Sequence, residues 1–79
     1  MQVTPFYQYK LVAYNGFAEA QHNVAVCYEY GEGVPQNYKI AAKWYQLACK
    51  NELKIAMYKM GMLYARGLGV ERDKNKAFQ

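Results

Sequence analysis

The sequence predicts an all-α fold, a short α-solenoid of stacked antiparallel helix hairpins. Three observations predict it. Apolar residues recur at helical spacing, no segment alternates like a strand between turn signals, and the chain matches itself when shifted by 36 residues. The shift aligns 20–43 with 56–79 and pairs Ala20 with Ala56, Tyr28 with Tyr64, Gly31 with Gly67, Gly33 with Gly69, Val34 with Val70 and Ala41 with Ala77. The matched types, small residues, tyrosine and turn glycines, are the structurally demanding ones. The same shift lays Val12-Ala13-Tyr14-Asn15 on Ala48-Cys49-Lys50-Asn51, so the chain reads as the tail of one unit, a complete unit, and a second unit cut short.

The elements follow in order. Thr4 before Pro5 predicts the start of a first helix over 5–14, with proline at a position whose N–H has no intrahelical partner, and Asn15-Gly16 ends it. The complete unit, 18–50, opens with a helix whose core stripe is Ala20, Val24, Cys27 and Tyr28. Gly31 suits the left-handed residue that closes a helix, and Gly33 and Pro35 stop it from continuing. Asn37 is a good N-cap for the next helix, whose stripe is Tyr38, Ala41, Ala42, Tyr45, Ala48 and Cys49. A helix around 54–66 copies the first of the unit within the truncated repeat 54–79, Gly67-Leu68-Gly69-Val70 repeats the loop, and Asp73 caps a short last helix. Five helices are expected in one domain, 1–79.

Composition narrows the function. The 79 residues are 53% hydrophobic and 20% charged with 2 prolines and 6 glycines, which excludes disordered and collagen-like classes. No apolar run reaches the roughly 20 residues that cross a bilayer. The opening MQVTPFYQYK lacks the cationic and apolar regions of a secretory signal, so a cytoplasmic location is expected. The net charge of +4 is spread along the chain, and no basic stripe stands out.

No catalytic or cofactor chemistry is legible. There is one histidine, His22, no Cys-x-x-Cys and no clustered carboxylates, so neither a metal site nor a nucleophile–base pair is expected. Gly31-x-Gly33 and Gly67-x-Gly69 lack the Gly-Lys-Ser/Thr and the preceding strand of a phosphate loop. Cys27 and Cys49 stand about ten residues out of register across a hairpin, ~15 Å along a helix, beyond the roughly 7 Å Cα limit for a bridge. Both are expected to be free, buried thiols, which suits a reducing compartment.

The residues that carry the repeat resemble the Sel-one-like repeat family, a branch of the tetratricopeptide-like helical solenoids. They are Ala20-Gln21, Val24-Ala25, Tyr28, Gly31-x-Gly33-Val34, Asn37, Ala41, Trp44-Tyr45 and Ala48. The second copy adds Ala56, Met60-Gly61, Leu63-Tyr64, Gly67-x-Gly69-Val70, Asp73 and Lys76-Ala77. Glu52 stands where the first turn has Gly16, and Ala25 where the family has glycine. A cysteine-rich branch bridges each repeat. Cys49 matches one of its positions, but Met57 stands at the other, so that bridge is not expected here.

The resemblance implies non-enzymatic adaptor or scaffold work, with the first helix of each pair lining the binding face. On that face, opposite the core stripe, lie His22 and Val26, and in the repeated helix Tyr58 and Met62, flanked by Tyr30 and Arg66. These six are the expected partner-binding residues: tyrosine, methionine and arginine are enriched where proteins meet. The expected partner is another protein. A homo-oligomer through an uncovered solenoid end is a further expectation, with Met60, Leu63, Tyr64, Ala77 and Phe78 forming that end. The alternative function is nucleic-acid binding through the basic residues and exposed tyrosines.

Overall fold

The computed structural model describes residues 5–73, which form four α-helices and, among the described residues, no strand. They are α1 (Pro5–Ala13), α2 (Ala18–Tyr30), α3 (Tyr38–Lys50) and α4 (Lys54–Arg66). Each helix packs on the next in sequence, α1 on α2, α2 on α3 and α3 on α4. Contacts also link alternate helices. Tyr14, just after α1, sits edge-on to Trp44 of α3 at 5.5 Å, and Lys59 of α4 reaches Glu29 of α2. The result is a short helical solenoid with α1 and α3 in one layer and α2 and α4 in the other. The fifth predicted helix and the Thr4 cap lie outside the described residues.

Local chemistry sets the helix ends. Pro5 occupies the first position of α1. Asn37 caps α3, its side-chain oxygen accepting from the Ile40 N–H at 3.0 Å, a bond of the kind whose loss costs about 1 kcal/mol. Gly31 and Gly67 end α2 and α4 in the left-handed conformation at φ 73° and 67°. The two loops that follow repeat bond for bond. The N–H groups of Gly31 and Glu32 both donate to the Cys27 carbonyl and Asn37 N–H donates to Tyr28 O, while Gly67 and Leu68 donate to Leu63 O and Asp73 to Tyr64 O. The 36-residue shift is therefore a backbone repeat as well as a sequence one.

The core is built from small residues that let helices approach and large ones that fill the gaps. Ala25, Ala41, Ala42, Ala48 and Ala56 are buried around Tyr45, Met60 and Leu63 where α2, α3 and α4 meet. Phe6, Ala13, Ala20, Val24 and Cys27 form a second cluster between α1 and α2, where Phe6 meets the Tyr28 ring edge-on at 5.5 Å. Gln21 and Ala25 are buried in addition to the expected stripe of α2. The reason is topological: α2 lies between α1 and α3, so two sides of it face protein rather than one.

One expectation about the uncovered end is corrected. Met60 and Leu63 are buried against the α3 alanines and Tyr64 is half-buried, so they do not form an exposed end; Ala77 and Phe78 lie outside the described residues. Exposed large apolar side chains lie elsewhere, among them Ile55, Met57 and Tyr58 on the first half of α4 and Tyr9, Leu11 and Val12 on α1.

Candidate partner-binding surface

The six expected contact residues divide between two environments. On α2, His22 and Val26 are half-buried: the His22 ring lies 5.4 Å from the Tyr45 ring, and Val26 packs on the cluster shared with α3 and α4. These two therefore face the following hairpin of the same chain. On α4, the equivalent Tyr58 is 67% exposed, Met62 half-buried and Arg66 exposed. Tyr30, at the end of α2, is also exposed.

Between the two groups runs a polar network that no periodicity could reveal, because its members come from three helices. Tyr45 of α3 is wholly buried, and its hydroxyl donates to Glu29 Oε1 at 2.6 Å. Lys59 Nζ lies 3.5 Å from the same carboxylate oxygen, donates to Tyr30 Oη at 3.2 Å and sits 5.3 Å from the Tyr30 ring centroid. Burial works against the Lys59 ammonium, but the Tyr30 hydroxyl and the Glu29 carboxylate outweigh it and raise its pKa. Burial and the bond to Glu29 push the Tyr45 phenol well above the ordinary tyrosine range. Lys59 is thus held charged and Tyr45 neutral, a fixed arrangement rather than a proton-transfer pair. The partnership of Glu29 with Lys59 joins two helices and cannot be read from the spacing along either one.

His22 shows what burial does to the lone histidine. Its Nε2 is buried without a hydrogen-bond partner. Burial, with help from the Lys59 charge, lowers its pKa against the opposing bond from Asn23 and the Glu29 charge. The thiols of Cys27 and Cys49 are free, but only Cys27 is buried as expected and Cys49 is half-buried; burial raises the pKa of both, which lowers their reactivity. Among the described residues no group of His, Cys, Asp and Glu could hold a metal ion, and no helix is long and apolar enough to cross a membrane.

The comparisons agree with this architecture. The Sel1 repeat family profile matches residues 18–53 and 54–79. The chain is 47% identical over 60 residues to a sel1-like repeat-containing protein of Acanthamoeba polyphaga mimivirus, and 37% identical over 70 residues to chitin synthase regulatory factor 2 of Schizosaccharomyces pombe. These alignments cover 76% and 87% of the chain but only 11% and 14% of the relatives. A crystal structure of a protective antigen of uropathogenic Escherichia coli with an SLR fold superposes with a TM-score of 0.89 at 35% identity, over 91% of this chain and 15% of that one. A Sel1 repeat protein of Oxalobacter formigenes also gives 0.89, at 36% identity, over 94% and 30%. Sel1 repeats generally mediate protein–protein interaction and are generally non-enzymatic. The backbone repeat, the hairpin stacking and these matches make the chain a member of the Sel1 repeat family.

Proposed function

We propose that the chain is a non-enzymatic docking module, an adaptor, scaffold or small inhibitor, that holds a partner protein against the face made by α4 and the end of α2. The observation that carries this reading is the contrast between equivalent positions. His22 is half-buried under Tyr45, whereas Tyr58, 36 residues on, stands 67% exposed beside Met62 and Arg66 with no helix over it among the described residues. Tyrosine and arginine on a rigid surface are the side chains that dominate interface energetics. Lys59, tied to Glu29 and Tyr30, holds α2 and α4 together beneath that surface. A regulatory role fits the likeness to chitin synthase regulatory factor 2. The mechanism is shape-matched burial, and the proposed setting is the cytoplasm.

The test is a Tyr58→Asp/Met62→Asp variant. It should lose capture of its partner from host lysate while keeping its helical circular dichroism. Unchanged capture would remove this face from consideration.

One observation favours a second reading. Lys39, Lys43 and Lys50 share an exposed face of α3, a helix with no acidic residue. Nucleic-acid binding there would weaken steeply with salt, and a gel-shift at two ionic strengths separates it from protein docking.

A further inference from the structure

An open cavity of about 580 Å³ lies between α1 and the start of α2, lined by Tyr9 and Val12 of α1, by Phe17, Glu19 and Asn23, and at one side by Leu53 from the turn before α4. The 36-residue register identifies what fills the same space inside the chain. Tyr9 stands for Tyr45, Val12 for Ala48 and Asn23 for Lys59. Tyr45 and Ala48 are 0% exposed, whereas Tyr9 and Val12 are 36% and 45% exposed. The difference is α2, which lies against Tyr45 through His22 and Glu29. The cavity therefore stands where a helix of the α2 type would lie, and α4 is the other helix of that type among the described residues.

We propose that the cavity receives α4 of a second copy, so that copies join head to tail. The proposal rests on the reading of α4 as a docking face and names its occupant.

The ring and charge pairs at such a junction match, although the Tyr9 hydroxyl meets Ala65 where the Tyr45 hydroxyl has Glu29. His22 against Tyr45 becomes Tyr58 against Tyr9, which keeps a ring on a ring. Inside the chain Glu29 is paired with Lys59; at the junction both positions change together, to Ala65 and Asn23. No charge is thus left buried without its partner, which would be strongly destabilising. Charge at the rim also agrees. Glu19 is the one charged residue lining the cavity, one helical turn before Asn23, and the arriving α4 brings the exposed Arg66 in place of Tyr30, which lies on Lys59 inside the chain. The contact is heterologous, with different surfaces on the two copies, so it excludes a symmetric dimer and builds chains, or a ring where the rotation closes.

Sedimentation velocity on the 79-residue chain tests this. The weight-average mass should rise steadily with concentration, reaching about twice the monomer near 1 mM for a junction Kd of about 1 mM. Tyr9→Asp/Val12→Asp should block one end and Tyr58→Asp/Arg66→Glu the other. Each variant alone should be monomeric, and an equimolar mixture should give a one-to-one dimer and nothing larger. All four positions are exposed, and circular dichroism checks that each variant folds. Should either pair unfold the chain, the Glu19→Arg and Arg66→Glu charge reversals replace it: each alone should weaken association, and the two in one chain should restore it. A wild type that stays monomeric at 1 mM, or a singly blocked variant that still dimerises with itself, overturns the proposal. Because Tyr9→Asp/Val12→Asp leaves α4 intact, it should still capture a foreign partner, so loss of self-association and loss of partner docking are told apart.

Discussion

The Asn51 side-chain amide donates to the Gln21 side-chain oxygen at 3.0 Å, joining the end of α3 to the buried face of α2 across 30 residues of sequence. Gln21 in turn donates to the Ala13 carbonyl at the end of α1, at 3.4 Å. One buried amide thus ties together three helix segments. Its equivalent 36 residues on is Met57, 44% exposed, where no such pair of helix ends is present among the described residues.

The two ends of that bond should respond differently to mutation. Gln21 is 5% exposed and Asn51 is exposed. Asn51→Leu strands a buried acceptor and should destabilise by about 1–2 kcal/mol. Gln21→Met removes the buried polar group itself and leaves Asn51 to water, so it should cost under ~1 kcal/mol. Urea denaturation of both variants checks the order; equal losses would show that stranding the Gln21 oxygen carries no cost of its own.

Glu52 is the described non-glycine residue with positive φ, at 63°, in the turn where the first unit has Gly16 at φ 86°. A side chain in the left-handed region costs roughly 1–2 kcal/mol, partly offset in a Glu52→Gly variant by the freer unfolded chain. Glu52→Gly should therefore stabilise by up to about 1 kcal/mol. Gly16→Ala should destabilise by about 1 kcal/mol, although nothing lies within 4 Å of the added methyl. Thermal melts of both decide whether backbone conformation governs these turns.

Much of this was legible because the relevant physics is local. Gly31, Asn37 and the α4 boundaries follow from backbone chemistry and periodicity, and all stand where the sequence placed them. What was not legible depends on which helix lies over which. His22 and Tyr58 are equivalent in sequence, and only the presence of Tyr45 above one of them makes their surroundings different. Lys59 was missed for the same reason, since its partners Glu29 and Tyr30 lie on another helix.

Gly69 shows the repeat unit touching its neighbour through backbone. It sits at φ 71°, and a β-carbon there would collide with the Tyr38 carbonyl at the start of α3. Gly69→Ala combines a strained backbone with a clash that no side-chain rotation relieves, so it should cost more than about 2 kcal/mol. Gly67→Ala meets Arg72, its β-carbon nearest at 3.2 Å and its backbone no closer than 3.6 Å, and should cost less. Chemical denaturation of the pair gives the comparison, and an equal loss would mean that the loop shifts away from α3.

The buried Nε2 of His22 gives the fold a pH dependence whose sign can be worked out. Burial lowers the folded-state pKa below the ordinary 6.5, so the unfolded chain takes up a proton at a pH where the folded one does not. The unfolded state then binds more protons, and stability falls as pH drops below about 6.5. Above that value the contribution of the neutral ring is fully present. The groups around the ring do not reverse this: the Lys59 charge acts with burial, while Asn23 and Glu29 oppose it and do not outweigh it. Thermal unfolding of the wild type should lose midpoint temperature between pH 7.5 and 5.5. His22→Phe, which keeps a ring beside Tyr45 but cannot titrate, should flatten that slope. Parallel slopes for the two proteins would place the origin of any pH dependence away from His22.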